Sequence, residues 1–348
     1  MSKFKKMTAV LLSVVMFVCC FAVQSGAYEQ YERFEYKDFT CLVNFEGNIT
    51  IEKYYGDSSK AVIPSTIKGM KVTVIGYECF SRNKKIKSVT IPENVTTIEG
   101  SAFRYCDNLT SVSLPNTLKS IGSDAFYGCE SLNKINLPAN LSNIGSYAFN
   151  GCTSIKTVTI PSEVETIGEY AFNDCTSLKT VNLNYGIKEI DFFAFLNCRS
   201  LKSVRIPESI SYLAPGSFGY VTKDYPVKDS IKIYSCDNSV GKKYARENEF
   251  PLVIVPSTMK NIKISKTSTS VTFSWSRDED VKGYIIEQYV GSKWKEIKKI
   301  TNNKTTKYTV TGLKSNTKYK FRLKSYAMNG KNELYSYVTT YSVTTPKK

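Results

Sequence analysis

Five cysteines, Cys106, Cys129, Cys152, Cys175 and Cys198, recur at a constant step of 23 residues. In an exported chain, regular cysteines are the raw material of disulfides, and a thiol beside a base is a nucleophile. The spacing favours neither. An odd number of equivalent positions leaves no complete pairing, and each falls where a stacked repeat turns a small side chain inward, so buried free thiols are expected. Bridging of neighbours about 5 Å apart stays open on distance alone, and a thiol count that includes Cys41, Cys79 and Cys236 decides it. The chain has no histidine. That removes Ser-His and Cys-His pairs, the commonest general base and His-containing zinc sites. Glu163, Glu165, Glu169 and Asp174 fall at variable outward registers, as solvated surface acids do, and there is no P-loop or G-x-G-x-x-G. No catalytic, cofactor or metal residue is assigned.

Two other sets of residues have the chemistry of contact. Tyr147, Tyr170 and Phe193 share one register in consecutive repeats, with Tyr127 and Phe192 nearby. Rings exposed along a rod give apolar area at low entropic cost, which suits proteins or sugars; rings that merely stack on one another are the alternative. A second row, which includes Lys134, Asn136, Thr157, Thr159, Asn182 and Arg205, is largely small and hydroxyl-bearing. It offers many weak hydrogen bonds to a peptide or a glycan.

The elements that position these residues come from an internal repeat. Phe80, Phe103, Phe126, Phe149, Phe172, Phe195 and Phe218 lie 23 apart, and Ile75, Ile98, Ile121, Ile144, Ile167, Ile190 and Leu213 keep the same step. The unit reads A-F-x-x-C-x-x-L-x-x-V-x-L-P-x-x-L-x-x-I-G-x-x. Each row is a ladder of inward side chains, one per coil, because no 23-residue coil buries its apolar face alone. The V-x-L-P run alternates in and out, so it is expected to carry the ladder strand, ended by proline. Seven coils at about 4.8 Å each make a rod of roughly 35 Å. Residues 34–55 read as a capping hairpin around Glu46-Gly47-Asn48. At the other end Ser239 N-caps a short helix that Pro251 stops, and Leu252 to Val255 close the core.

This pattern resembles the BspA-like class of leucine-rich repeats over residues 34–255, in its A-F-x-x-C and I-P-x-x-V-x-x-I-G signatures and in the closing G-K-K-Y-A-R-E-N. Asn83 stands for the first Cys, Cys79 and Ser217 for Ala, Asp191 and Ala214 for Gly, and Asn184 for Pro. The resemblance implies surface-displayed adhesion and ligand binding without naming a ligand.

The two ends of the chain differ from the rod. Lys3, Lys5 and Lys6, the apolar run Met7 to Val23 and the small Ser25-Gly26-Ala27 read as a secretory signal cleaved after about Ala27. No second run of this kind exists, so the mature chain is expected to have no transmembrane span. From Ser257 the composition turns to Thr, Ser and Lys, with alternating strands around Trp275, Tyr284 to Glu287 and Lys318 to Leu323, as in a β-sandwich. Leu313 and Tyr319 within L-K-S-N-T-K-Y look like the tyrosine corner of fibronectin type III modules. Residues 28–256 carry 25 basic and 25 acidic side chains, and residues 257–348 carry 19 and 6. Of the net +16, three charges belong to the signal and the mature excess of +13 sits in the last module, where it suits anionic cell-wall polymers better than nucleic acid.

The fold expected is mostly β: a signal peptide over 1–27, an N-terminal capping hairpin over 28–60, a leucine-rich-repeat solenoid with its C-terminal cap over 61–256, and a fibronectin-III-like sandwich over 257–348. The function expected is that of a monomeric, secreted or wall-associated adhesion protein binding an extracellular protein or glycan, without cofactor or catalysis. A non-catalytic accessory of secreted polysaccharide-degrading enzymes and a structural envelope protein are the alternatives.

Overall fold

The computed structural model describes residues 32–219 and 231–348, together with the backbone of two short strands, Val221–Thr222 and Tyr225–Pro226. The secretory signal read in residues 1–27 lies outside the described residues. The repeat winds into a solenoid around one aromatic spine. Phe80, Phe103, Phe126, Phe149, Phe172, Phe195 and Phe218 are fully buried. Successive rings stack at 4.8–5.2 Å and within 13° of parallel. Offset stacking is the arrangement the ring quadrupole favours, at about 0.5–1.5 kcal/mol per pair beyond burial. Both ends of the spine are closed by other aromatics. Tyr54 and Phe39 continue it at the start. At the finish Tyr244 meets Phe218 edge-on, and its hydroxyl accepts from the Phe218 N–H at 3.0 Å.

The expected V-x-L strands form, and a second, continuous ladder runs beside them. The continuous sheet, eleven-stranded, starts in the hairpin Arg33–Tyr36, Phe39–Val43, Ile49–Tyr54 and then takes one short parallel strand per coil from the I-G segment, through Thr97–Ile98 to Tyr212–Leu213. The V-x-L-P segment gives three separate pieces. Lys60–Val62, Ser88–Thr90 and Ser111–Ser113 form one; Thr157–Ile160 and Thr180–Leu183 the second; Ser203–Arg205, Lys232–Ser235 and Leu252–Ile254 the third. Between the first two only a single bridge, Ser111 to Lys134, remains. The glycines of the I-G segment are required by close approach: a Cβ on Gly145 would sit 2.6 Å from Ser123 N, and one on Gly122 2.6 Å from Gly100 N.

The cysteines fill the corner beside the spine. All eight in the described residues are buried and unpaired. Each repeat thiol donates to the phenylalanine carbonyl of the coil before it: Cys106 to Phe80, Cys129 to Phe103, Cys152 to Phe126, Cys175 to Phe149 and Cys198 to Phe172, at 3.0–3.3 Å. Burial pushes these thiols up, Cys106 to about 12 and Cys129, Cys152 and Cys198 well above the ordinary value. They are structural hydrogen-bond donors, not nucleophiles.

The cap helix, α1 (Val240–Glu247), begins as expected, with Ser239 Oγ accepting from Lys242 N at 3.3 Å. Beyond it, Lys263–Lys266, Val271–Ser274 and Lys307–Val310 form one sheet of a sandwich. Gly283–Val290, Lys293–Ile300, Lys318–Asn329, Asn332–Tyr335 and Thr339–Thr344 form the other. Val271, Phe273, Trp275, Tyr284, Phe321 and Leu323 fill the space between them. The tyrosine corner is present: Tyr319 Oη accepts from Lys314 N at 2.8 Å.

Candidate binding surfaces

Every coil passes through two left-handed positions that also repeat at 23 residues. One holds Glu78, Ser101, Asp124, Tyr147, Tyr170, Phe193 and Gly216; the other holds Arg82, Tyr105, Gly128, Gly151, Asp174 and Asn197. Positive φ is cheap for Gly, Asn and Asp and costly for bulky side chains. The rings of Tyr147, Tyr170 and Phe193, at φ +59°, +54° and +59°, therefore occupy positions where backbone energetics argue against them.

These rings form one stripe. Tyr147 and Tyr170 stack at 4.8 Å, Tyr170 meets Phe193 at 4.9 Å, and exposed Phe192 lies 6.2 Å from Phe193. Burial and the nearby Glu169 charge raise the Tyr147 phenol, and Asp124 and Tyr127 act on it as well. Tyr127 in turn packs edge-on against Tyr105 at 5.3 Å, with the Arg104 guanidinium over both rings. The five expected aromatics are thus brought together. Tyr105, Arg104 and Arg82 extend the stripe and were not singled out from the sequence. The signal that reveals Arg82 and Tyr105 is the second 23-residue register, 82, 105, 128, 151, 174, 197; Arg104 is the residue before Tyr105.

The second row divides. Lys134, Asn136, Thr157 and Thr159 are exposed and line one groove of about 330 Å³ where the V-x-L ladder is open. Asn182 joins them in the next coil, its Nδ2 donating to Thr159 Oγ1 at 3.0 Å. Arg205 departs from its expected role as a ligand contact. Its guanidinium lies 4.4 Å over the ring of Tyr337, whose hydroxyl donates to the Arg205 carbonyl at 3.0 Å. Its Nε and Nη2 are buried without a partner. The side chain is held inside the junction with the sandwich and is withdrawn from the outward row.

That junction is built from the one coil lacking the proline. Asn184-Tyr185-Gly186 replaces P-x-x, Gly186 adopts φ +133° where a Cβ would lie 2.2 Å from Ser162 O, and the Tyr185 ring reaches to 6.5 Å from Tyr337. Thr258 N donates to Glu208 at 3.2 Å and Ser325 Oγ to the Ser257 carbonyl at 3.1 Å.

On the sandwich, Glu287 is buried in the sheet face and takes both Arg322 and Lys324. Burial works to raise its pKa, but these two cations outweigh it and hold the carboxyl below the ordinary range. Arg322 also covers Trp294, and Lys320 stands over Tyr289. No group of three or more metal-ligating side chains occurs among the described residues.

Parallel coils of constant length, an inward phenylalanine spine, an aromatic cap at each end and a following β-sandwich define a leucine-rich-repeat solenoid joined to a fibronectin-type module. The chain belongs to the BspA type leucine rich repeat family, whose model matches residues 36–118 and 97–224 in six copies. A fibronectin type III domain model matches residues 256–341. Among solved structures, a leucine rich cell surface protein from Faecalibacterium prausnitzii A2-165 is 28% identical, over 59% of this chain and 58% of that one, with a TM-score of 0.52. A leucine-rich repeat protein from Eubacterium ventriosum is 27% identical over 58% and 53%, with a TM-score of 0.48. The chain thus spans between half and three-fifths of the length of these two relatives. No curated protein matches it.

Proposed function

We propose that this protein is exported and acts at the cell surface as a binding or adhesion protein, with the aromatic stripe of the solenoid as its contact surface. The observation that carries the reading is the placement of Tyr147, Tyr170 and Phe193 at left-handed positions. Strain of this kind persists where a function maintains it. A family of interaction repeats and a cell-surface relative support the location, as does the signal-like N-terminus. The reading is of a binder without catalysis: the sequence has no histidine and the buried thiols are held neutral. Replacing Tyr147 and Tyr170 by Ser should reduce binding to cells or to an immobilised extracellular-matrix extract while the rod stays folded. Unchanged binding ends this reading.

The basic sandwich supports a second role beside the first. With 19 basic and 6 acidic side chains, it serves as a tether to an anionic wall polymer. Retention of the protein on purified walls should disappear at moderate salt, as a screened interaction requires; retention that persists at high salt excludes the tether.

A further inference from the structure

The contact stripe has little ring face left to offer. Tyr147 and Tyr170 lie within 13° of parallel at 4.8 Å, Tyr170 is covered by Phe193, and Phe193 itself lies over Gly216, where a Cβ would come within 2.5 Å of its ring. A sugar ring that packs flat on an aromatic face meets mainly ring edges here. Asp124 and Glu169 act electrostatically on Tyr147, and in the same coils Asp174 accepts from Asn173 Nδ2 and Asp191 from the Phe192 N–H, at 2.9 and 2.8 Å. Asp124, Glu169, Asp174 and Asp191 make no ion pair among the described residues. Other solenoid acids do: Glu52, Asp57 and Asp107 each hold a cation.

Behind Tyr170 lies a further unsatisfied acceptor. Asn173 is 8% exposed, its N–H donates to the Tyr170 carbonyl at 3.1 Å, its Nδ2 donates to Asp174 at 2.9 Å, and its Oδ1 has no partner. Asn197 Oδ1, one coil on, is orphaned in the same way. A buried acceptor without a donor is unfavourable, and no lysine or arginine stands in 145–152, 168–175 or 191–198 to supply one. The Tyr147 to Phe193 part of the stripe thus lacks cations of its own; its arginines stand at the other end, where Arg104 covers Tyr105 and Tyr127.

We propose that the stripe from Tyr147 to Phe193 binds a basic polypeptide segment, with its lysine or arginine donors on Glu169 and Asp191 and its alkyl stems along the ring edges. The three ring centres advance by 4.8 and 4.9 Å, so two same-face side chains of an extended strand, about 7 Å apart, fall between one coil step and two. This partner class rests on the proposed contact function of the stripe.

Fluorescence anisotropy with the mature full-length chain tests it, using a labelled 12-residue peptide of alternating Lys and Ser, its Glu-for-Lys counterpart, and a neutral β-linked oligosaccharide. The Lys peptide should bind and lose affinity in the stripe variants, whereas any binding of the Glu peptide, which the basic sandwich attracts, should be unaffected by them. Glu169→Gln with Asp191→Asn, both isosteric surface changes, should weaken it about fivefold or more and flatten its salt dependence. Tyr147→Ser with Tyr170→Ser should weaken it about tenfold, with the far-UV spectrum checked for an intact rod. If the oligosaccharide binds, loses affinity in the tyrosine variant and leaves the Lys peptide unbound, the stripe is a contact surface but the basic-segment assignment is wrong. If neither probe responds to the tyrosine changes, the contact function fails with it.

Discussion

Replacing Tyr147 by Asn separates a contact ring from a structural one. At φ +59° the tyrosine carries a left-handed penalty of roughly 1–2 kcal/mol, most of which Asn escapes. Against that gain stand one lost ring pair, Tyr147 with Tyr170, worth about 0.5–1.5 kcal/mol, and a half-buried apolar surface worth about 1 kcal/mol. The opposing effects nearly cancel, so urea denaturation should place Tyr147→Asn within about 1 kcal/mol of the wild type. Tyr170→Asn, which breaks two ring contacts, should cost about 1 kcal/mol more. Phe149→Ala in the spine removes a fully buried ring with two stacked partners and should cost about 3–5 kcal/mol. A Tyr147→Asn loss in the Phe149→Ala range would show that the ring staples the coils together, and the argument from strain to contact would be refuted.

The solenoid should unfold in mild alkali. Burial raises all eight thiols above 9.0, to about 11 for Cys41 and Cys236 and about 12 for Cys106. The resulting stability is complete below the unfolded thiol value and is lost as pH rises past it, because the unfolded state releases protons that the folded state keeps. At pH 10 each buried thiol costs on the order of 1 kcal/mol, and eight together approach a domain's whole stability. The cysteine-free sandwich should persist, and a solenoid circular-dichroism signal unchanged at pH 10.5 would contradict this. Gly145→Ala should destabilise the rod by about 2 kcal/mol or more, since its Cβ meets backbone at 2.6 Å and overpacking has no flexible neighbour to displace; a melting temperature unchanged in a thermal scan would contradict it. Tyr319→Phe deletes the corner bond to Lys314 N and should cost the sandwich about 1 kcal/mol in denaturant. Tyr337→Ala should loosen the two modules, seen as faster proteolysis around residues 255–258 and a larger radius of gyration; an unchanged radius would mean the Arg205–Tyr337 contact does not hold them.

The spine, the hairpin, the cap helix and the tyrosine corner were legible because each is local or periodic. A 23-residue step needs only counting, and Ser239 or Leu313 with Tyr319 is a short motif with one geometry. The V-x-L strand is legible from its alternation, whereas the continuous ladder at I-G is not, because two residues per coil display no alternation. The stripe was visible as a register of rings, but its backbone strain was not, since φ follows from how the coil closes. Arg205 was assigned outward by alternation, correctly for the strand, yet the docking of a module 130 residues away in sequence decides what its side chain meets.

The departures from the repeat make one argument. Asn184-Tyr185-Gly186 breaks the proline row and supplies Tyr185 to the seam with the sandwich. Arg205 breaks a row of small hydroxyl residues and is spent on Tyr337. Tyr147, Tyr170 and Phe193 break a register otherwise filled by Glu, Ser, Asp and Gly. A solenoid's consensus is fixed by what one coil needs from the next, so a position that departs at a cost in backbone energy is answering something other than the neighbouring coil. For the first two that partner is present in the same chain. By the same logic the third set, whose rings also stack on one another, is the part of the rod proposed to face a partner from outside the chain.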